Sequence, residues 1–427
     1  MVETSDLEAF EKELMGGSKE NSTDQFLREL ESHNQPQTPT RDPREAQDVN
    51  VITDNGKTVQ VKKNVILSFM SDTTGCGHIR NIFPMSYLNA LFGKTGQRMV
   101  VQSPLFIHQH DLLVRAKTIF FQRQMTPSHL DIIKQYKAAQ PQYQFKMVWD
   151  IDDFIWGKNE EQGGDKEDGV PSYNFGSTSI GDDIKKSSVE IMNLMDICTF
   201  STPFLANYAK NVLGVKPQCI VLPNAVPQFF FGNKRRAPIK QDIKIPKVIY
   251  TGSPTHYSNE KLMLGDFDNA WKDWVIKSVN SGKIEFTVMG GLPWFFEEIK
   301  DKITIINWVD SWGYANTLKN QNADFGIAPL TPNNFNYSKS DIKQCEYAAL
   351  GIVGIGSTFT NGKPSPYDGN IVSLPTDCTV EDIDKVFAEN CKADAYNDVR
   401  SKQYDILVRD GRYLESSEYV NNLVSIY

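Results

Sequence analysis

The chain has no apolar run near the roughly 18–20 residues needed to span a bilayer, which excludes a transmembrane helix by hydropathy. Its start, MVETSDLEAFEKEL, is acidic and lacks the basic head and apolar core of a secretory signal, so the expectation is a cytoplasmic protein. Cysteines are few: Cys76, Cys198, Cys219, Cys345, Cys378 and Cys391 are scattered, with no CxxC pair and no Cys/His cluster at ligand spacing. That excludes a disulfide framework and a zinc-finger site, and predicts free thiols in a reducing compartment. A complete GxGxxG is also missing. Gly75-Cys76-Gly77 follows a strand and opens a helix, but Pro84 then falls inside that helix, so a dinucleotide cofactor is rejected.

What is present is a globular composition. There are 427 residues, 40% hydrophobic and 23% charged, which suggests two domains plus extensions. The net charge of −8 is unevenly spread. Residues 1–60 hold 13 acids against 6 bases, whereas residues 61–140 hold 10 bases against 3 acids. The first segment reads as an acidic, flexible tail with two short amphipathic pieces, Asp6–Met15 and Thr23–His33, so residues 1–35 are candidates for a protein partner. The basic segment suits an anionic partner, the alternative being a solvated face.

From Asn64 onward, short apolar runs alternate with helical patterns. Strands are expected at 65–70, 98–102, 118–122, 145–150, 196–200 and 219–222, with helices at 79–92, 127–139 and 203–213. After a polar, basic stretch a second series begins. Its strands are expected at 247–250, 284–289, 303–307, 325–329, 352–355 and 370–373, and its helices at 259–279, 313–320 and 340–350. Alternation of this kind predicts doubly wound parallel sheets. The reading is therefore an α/β protein with two Rossmann-like lobes facing a cleft. The N-terminal lobe spans 61–230, the linker 231–244 and the C-terminal lobe 245–400. Helices at 401–427 are expected to pack back on the first lobe. Ligands of open α/β sheets bind at the carboxyl ends of the strands.

The segment around residue 340 is the most informative. Lys339 and Lys343 are four apart at the expected start of a helix, with Glu346 one turn further on. Two cations beside free helix N–H groups suit a diphosphate, and a carboxylate a turn later can accept hydrogen bonds from ribose hydroxyls. The alternative is a surface helix with an i,i+3 salt bridge. Gly252, Ser253 and Thr255 form a small-residue βα turn through which backbone amides can approach phosphate, and His256 adjoins them. Gly290 and Gly291 end the next strand, where a turn needing positive φ is the simpler explanation. In the first lobe, His108 and His110 follow a strand, and His108 is the candidate for catalysis there. Arg80 and Arg123 are candidate anion contacts. Asp150, Asp152 and Asp153 could hold a divalent ion, as carboxylates do. Lying between two Rossmann-like series, Asp152 and Asp153 are assigned instead to structural or acceptor-side work, and no metal is expected.

Six segments together resemble the GT-B glycosyltransferases, in particular the family-four-like branch of bacteria and phages. They are Ser71–Arg80, Val148–Trp156, Thr199–Pro203 with Val221–Val226, Tyr250–His256, Asp324–Leu330 and Asn333–Gly351. The resemblance covers about residues 64–375. It implies lysines on the donor diphosphate, a glutamate (Glu346) on the ribose, and the turn bearing Gly75 and Gly77 over the phosphates. It also implies a nucleotide-sugar donor, a UDP-sugar in the first instance, with a retaining, metal-independent reaction. One departure stands out. Many such enzymes carry two glutamates eight positions apart, but the position eight before Glu346 is Ser338. The phage resemblance and the basic segment point to a hydroxymethylated base in DNA as acceptor. The alternatives are surface polysaccharide assembly, a sugar-nucleotide epimerase or phosphorylase, and a non-catalytic interaction protein.

Overall fold

The computed structural model describes residues 48–52, 58–157, 178–253, 256, 265–369 and 372–427. Thr255, one of the expected donor-site residues, lies outside them, as do residues 1–47 with both amphipathic pieces.

Two six-stranded parallel sheets form the frame. The first is built from β3 (Val65–Met70), β4 (Met99–Ser103), β5 (Ala116–Gln122), β6 (Lys146–Ile151), β7 (Ile197–Phe200) and β8 (Gln218–Val221), in the order β4-β3-β5-β6-β7-β8. The second contains β9 (Lys247–Thr251), β10 (Glu285–Met289), β11 (Thr304–Ile306), β12 (Phe325–Ala328), β13 (Val353–Thr358) and β14 (Val372–Pro375), in the order β11-β10-β9-β12-β13-β14. In each sheet the order of strand addition reverses beside its first strand, between β3 and β5 and between β9 and β12. Such switch points open a crevice for ligands.

Period-two burial fixes which helices cover which face. In β3, Val65, Leu67 and Phe69 enter a core with Ile133 and Tyr136 of the helix Pro127–Tyr143 and Ile191 of the helix Thr178–Leu194. Ile66 faces the other way, onto Leu88 of the helix Phe83–Phe92 and onto Leu423 and Ile426 of the helix Ser417–Ile426. The last helix of the chain thus completes the N-terminal lobe, and Thr118 Oγ1 donates to the Tyr427 carbonyl at 2.9 Å. In β9, Val248 and Tyr250 meet Trp271 and Trp274, while Ile249 meets Tyr347, Leu350 and Leu407.

Several boundaries differ from expectation. Residues 48–60 are not all tail: Asp48–Ile52 (β1) and Thr58–Lys62 (β2) pair as an antiparallel hairpin. The alternation in DVNVI and TVQVK carries that signal. The helix placed at 259–279 is Asn269–Asn280, started by Asp268, whose carboxylate accepts from the Trp271 amide. Pro84 lies inside a continuous helical run, directly after the π-helical turn His78–Ile82, whose shifted hydrogen-bond ladder accommodates the missing N–H. The lobe boundary placed at residue 400 falls inside one continuous helix, Ala393–Arg409. The linker lies along that helix, with Arg400 Nη2 donating to the Ala237 carbonyl and the Ile239 amide to Asn397 Oδ1.

The lobes meet through specific hydrogen bonds. Thr202 Oγ1 donates to the Ser338 carbonyl at 3.0 Å, and Asn224 Nδ2 donates to Ser340 Oγ at 2.7 Å. Arg412 spans both sides, donating to the Asn224 carbonyl and to the Asp341 carboxylate. No helix among the described residues is long and apolar enough to cross a membrane.

Candidate donor site

At the switch point of the second sheet, β9 ends at Thr251 and turns through Gly252 and Ser253, while β10 ends at Met289 and turns through Gly290. The turns are in contact. The Gly252 amide donates to the Met289 carbonyl, and a Cβ on Gly290 would lie 2.3 Å from the Gly252 oxygen. Gly290 and Gly291 have φ of 116° and 123°, which only glycine adopts readily. Both turns border a cavity of about 230 Å³ that is also lined by Gly75, His78, His256, Tyr314, Lys343 and Glu346.

The lysines are placed differently from the sequence expectation. The helix is Ile342–Leu350 with Asp341 at its N-cap, so Lys339 precedes it, after the short helix Asn334–Tyr337. The two side chains do not share a helix face, yet they converge on one carboxylate. Lys339 Nζ and Lys343 Nζ each lie 2.9 Å from Asp266, on its two oxygens. Tyr250 Oη donates to Asp266 at 2.9 Å, and His256 Nδ1 is 3.2 Å from Asp266 and 2.8 Å from Lys339 Nζ. Burial raises the Asp266 carboxyl, but Lys339 and Lys343 outweigh it and hold the group well below the usual carboxylate range. Burial, reinforced by Lys339, lowers His256, so its imidazole is neutral at pH 7. With two ammonium groups against one carboxylate, the cluster keeps one net positive charge.

Glu346 stands one turn from Lys343 and is 8% exposed. Tyr314 Oη donates to it at 2.9 Å. Burial raises its carboxyl to about 7, although the Tyr314 hydrogen bond and Lys343 pull the other way. A carboxylate with one lone-pair set taken by a tyrosine and the remainder turned to a cavity is equipped to accept ligand hydroxyls.

The first lobe presents a different picture. Gly75 lines the cavity, but Gly77 does not. Its amide donates to Asp72 Oδ1, and a Cβ there would sit 1.9 Å from the Asp72 carbonyl oxygen. Gly77 is therefore required by local packing rather than by a phosphate. Arg80 is no anion contact either. It is 3% exposed, its Nε donates to Asp150 at 3.0 Å, and its Nη1 donates to the Leu222 carbonyl and Asn224 Oδ1. Asp150 is in turn held by Thr199 Oγ1 at 2.6 Å. His108 lies away from the cavity lining, stacked on Tyr136 with ring centroids 4.4 Å apart. Arg123, with φ of 63°, pairs with Asp153 at 3.3 Å, and Cys76 Sγ is 3.5 Å from the same carboxylate. Burial lowers the Lys339 ammonium below its usual value, against the opposing pull of Asp266 and, across the cleft, of Asp153. Burial and the neighbouring Asp153 raise Asp152 to about 7.

Sequence reasoning missed Asp266, Tyr314 and His78. Asp266 falls inside the helix expected at 259–279. The string Gly265-Asp266-Phe267-Asp268 carried the signal, since a glycine followed by an N-capping aspartate starts the helix later and leaves Asp266 in the loop. The basic stretch 61–140 does not form one surface. Lys63, Arg80 and Arg98 are buried, and Arg123, Lys134 and Lys137 pair with Asp153, Glu190 and Asp196.

No protein-family model matches the chain, and no curated protein matches it in sequence. Solved structures do match in fold. Sucrose-phosphate synthase from Thermosynechococcus elongatus is 11% identical, with 86% of this chain and 98% of that one covered at a TM-score of 0.52. HepE from Anabaena, solved in complex with UDP, is 8% identical, with 85% and 98% covered at a TM-score of 0.50. At these identities the likeness concerns architecture: this chain has the two-lobed GT-B fold.

Proposed function

We propose that this chain is a glycosyltransferase that binds a nucleotide-sugar in the cavity at the β9–β10 turns and transfers the sugar to an acceptor hydroxyl on the N-terminal lobe. The observation that carries the reading is that Lys343, which lines the cavity with Gly252, Ser253 and Glu346, and Lys339, which does not line it, converge on one buried carboxylate. In the free protein Asp266 neutralises one of the two lysine charges. A donor diphosphate supplies more negative charge and more acceptor oxygens than one carboxylate, so it competes for both ammonium groups. Charge builds on the leaving diphosphate as the glycosidic bond breaks, and fixed cations in a partly dry site stabilise it most at that moment. Glu346 receives the ribose hydroxyls. The UDP bound by HepE supports a UDP-sugar as the first donor to try. Retention and neutralisation of the diphosphate by lysines, without a metal there, complete the reading. Arg123, Asp152 and Asp153 belong to the acceptor side, and residues 1–35 to a protein partner.

A thermal-shift screen against nucleoside diphosphates and nucleotide-sugars tests it, since a ligand of the native state raises Tm by mass action. A shift with one nucleoside diphosphate, unchanged by chelator and lost in Lys343→Ala, is expected. Absence of any shift refutes the donor site and favours an interaction protein. A second reading concerns the acceptor. DNA was suggested by the basic composition of residues 61–140, but six of those ten cations are buried or paired. Transfer to DNA would fall steeply with salt, and activity indifferent to salt counts against it.

A further inference from the structure

A second group of ionisable side chains lies at the switch point of the first sheet. Cys76 is in the first helical turn after β3, Arg123 follows β5, and Asp152 and Asp153 follow β6. The Cys76 sulfur and one carboxylate oxygen each from Asp152 and Asp153 all lie within 4.8 Å of one another. Independently of that grouping, Asp152 is 8% exposed and its Oδ1 is buried with no hydrogen-bond partner among the described residues. A buried carboxylate oxygen without a donor is costly, and a cation is the partner that suits it best.

The spacing fits a particular ion class. Zinc bonds of about 2.3 Å to sulfur and about 2.0 Å to oxygen, at a tetrahedral angle, put the two ligand atoms about 3.5 Å apart. The Cys76 Sγ to Asp153 Oδ2 distance, spanned here by an S–H···O hydrogen bond, is 3.5 Å, so an ion can replace the proton without moving these two atoms apart. Once the thiol has lost its proton, three anions face one cation, Arg123, and a divalent ion brings the group to neutrality. Arg123 at 3.3 Å from Asp153 then holds that carboxylate in place, as outer partners of metal ligands do.

We propose that Cys76, Asp152 and Asp153 bind one divalent cation of the borderline, zinc-like class, with a fourth position for water or a substrate oxygen. The thiolate discriminates against magnesium and calcium, which prefer oxygen alone. Binding releases the Cys76 proton, and any proton on Asp152, to solvent. The ion ties the turn bearing Gly75, which lines the donor cavity, to the end of β6. Its ligands are other residues than Lys339 and Lys343, so its occupancy can be tested without a donor.

The test uses the full chain, treated with chelator, freed of it, and titrated with Co²⁺ under reducing, oxygen-free conditions. One equivalent should produce a near-ultraviolet thiolate-to-cobalt charge-transfer band with visible bands of tetrahedral intensity, and Zn²⁺ should bleach both. Cys76→Ser should abolish the charge-transfer band, and Asp152→Asn or Asp153→Asn should weaken cobalt binding by about tenfold or more. Cys391→Ser, at a half-buried thiol elsewhere, should leave the spectrum unchanged. Circular dichroism checks that each variant folds; if Cys76→Ser does not fold, Asp152→Asn carries the test. No thiolate band, a band that survives Cys76→Ser, or displacement of cobalt by equimolar Mg²⁺ overturns the proposal.

Discussion

Glu346→Gln should stabilise the free protein at alkaline pH while weakening its hold on the donor. Glu346 is buried, and its carboxyl is raised from 4.5 to about 7. The folded state therefore binds a proton that the unfolded state has already released across that window. Stability falls as pH rises from about 4.5 to about 7, and the full cost is present above 7. At about 1.4 kcal/mol per pH unit, the gap is worth about 3 kcal/mol. Glutamine keeps the shape and an oxygen that can accept from Tyr314 Oη, 2.9 Å away in the parent, and carries no charge to desolvate. Melting followed by circular dichroism from pH 4 to pH 9 should show variant and parent coinciding near pH 4. They should separate through pH 5–7, and the variant should melt higher by a few degrees at pH 8. A nucleoside diphosphate should then raise the variant's Tm less than the parent's. A variant less stable at pH 8, or a difference independent of pH, would refute the claim that Glu346 is held there as a costly charge.

Asp266→Asn leaves Lys339 and Lys343 without their shared counter-ion and should cost about 3–5 kcal/mol, as broken buried pairs do. Saturating pyrophosphate should restore part of that loss, seen as a larger Tm rise than in the parent; an equal rise would show that the lysines do not meet phosphate. Arg80→Ala strips the buried Asp150 of its partner and should cost about 3–5 kcal/mol in a denaturant titration. Its KM for the donor should stay within a factor of about two, since Arg80 is absent from the cavity lining. Gly290→Ala forces a side chain into a glycine-only region of backbone space and against the Gly252 carbonyl. It should destabilise by about 1–3 kcal/mol and weaken donor binding together, and a neutral effect on melting would contradict the contact between the two turns.

The sequence by itself determined the layer architecture of this protein. Buried strands such as VILSFM and the alternation of strands with amphipathic helices leave few solutions other than two parallel sheets, and local hydrophobic period is enough to read them. It also pointed to Lys339, Lys343, Glu346 and the Gly252–Ser253 turn, because phosphate and ribose call for those residue types near strand ends. Tertiary structure decided everything that depends on what faces what. Arg80 could not be told from an exposed anion contact until β6 and the loop after β8 closed around it. His108 became a stacking partner of Tyr136. The basic run dispersed into buried and paired cations, since charges adjacent in sequence project in different directions on strands and helices. Asp266, far from Lys339 and Lys343 in the chain, became their common counter-ion, because burial makes an unpaired charge too costly and the fold brought these groups to the same switch point.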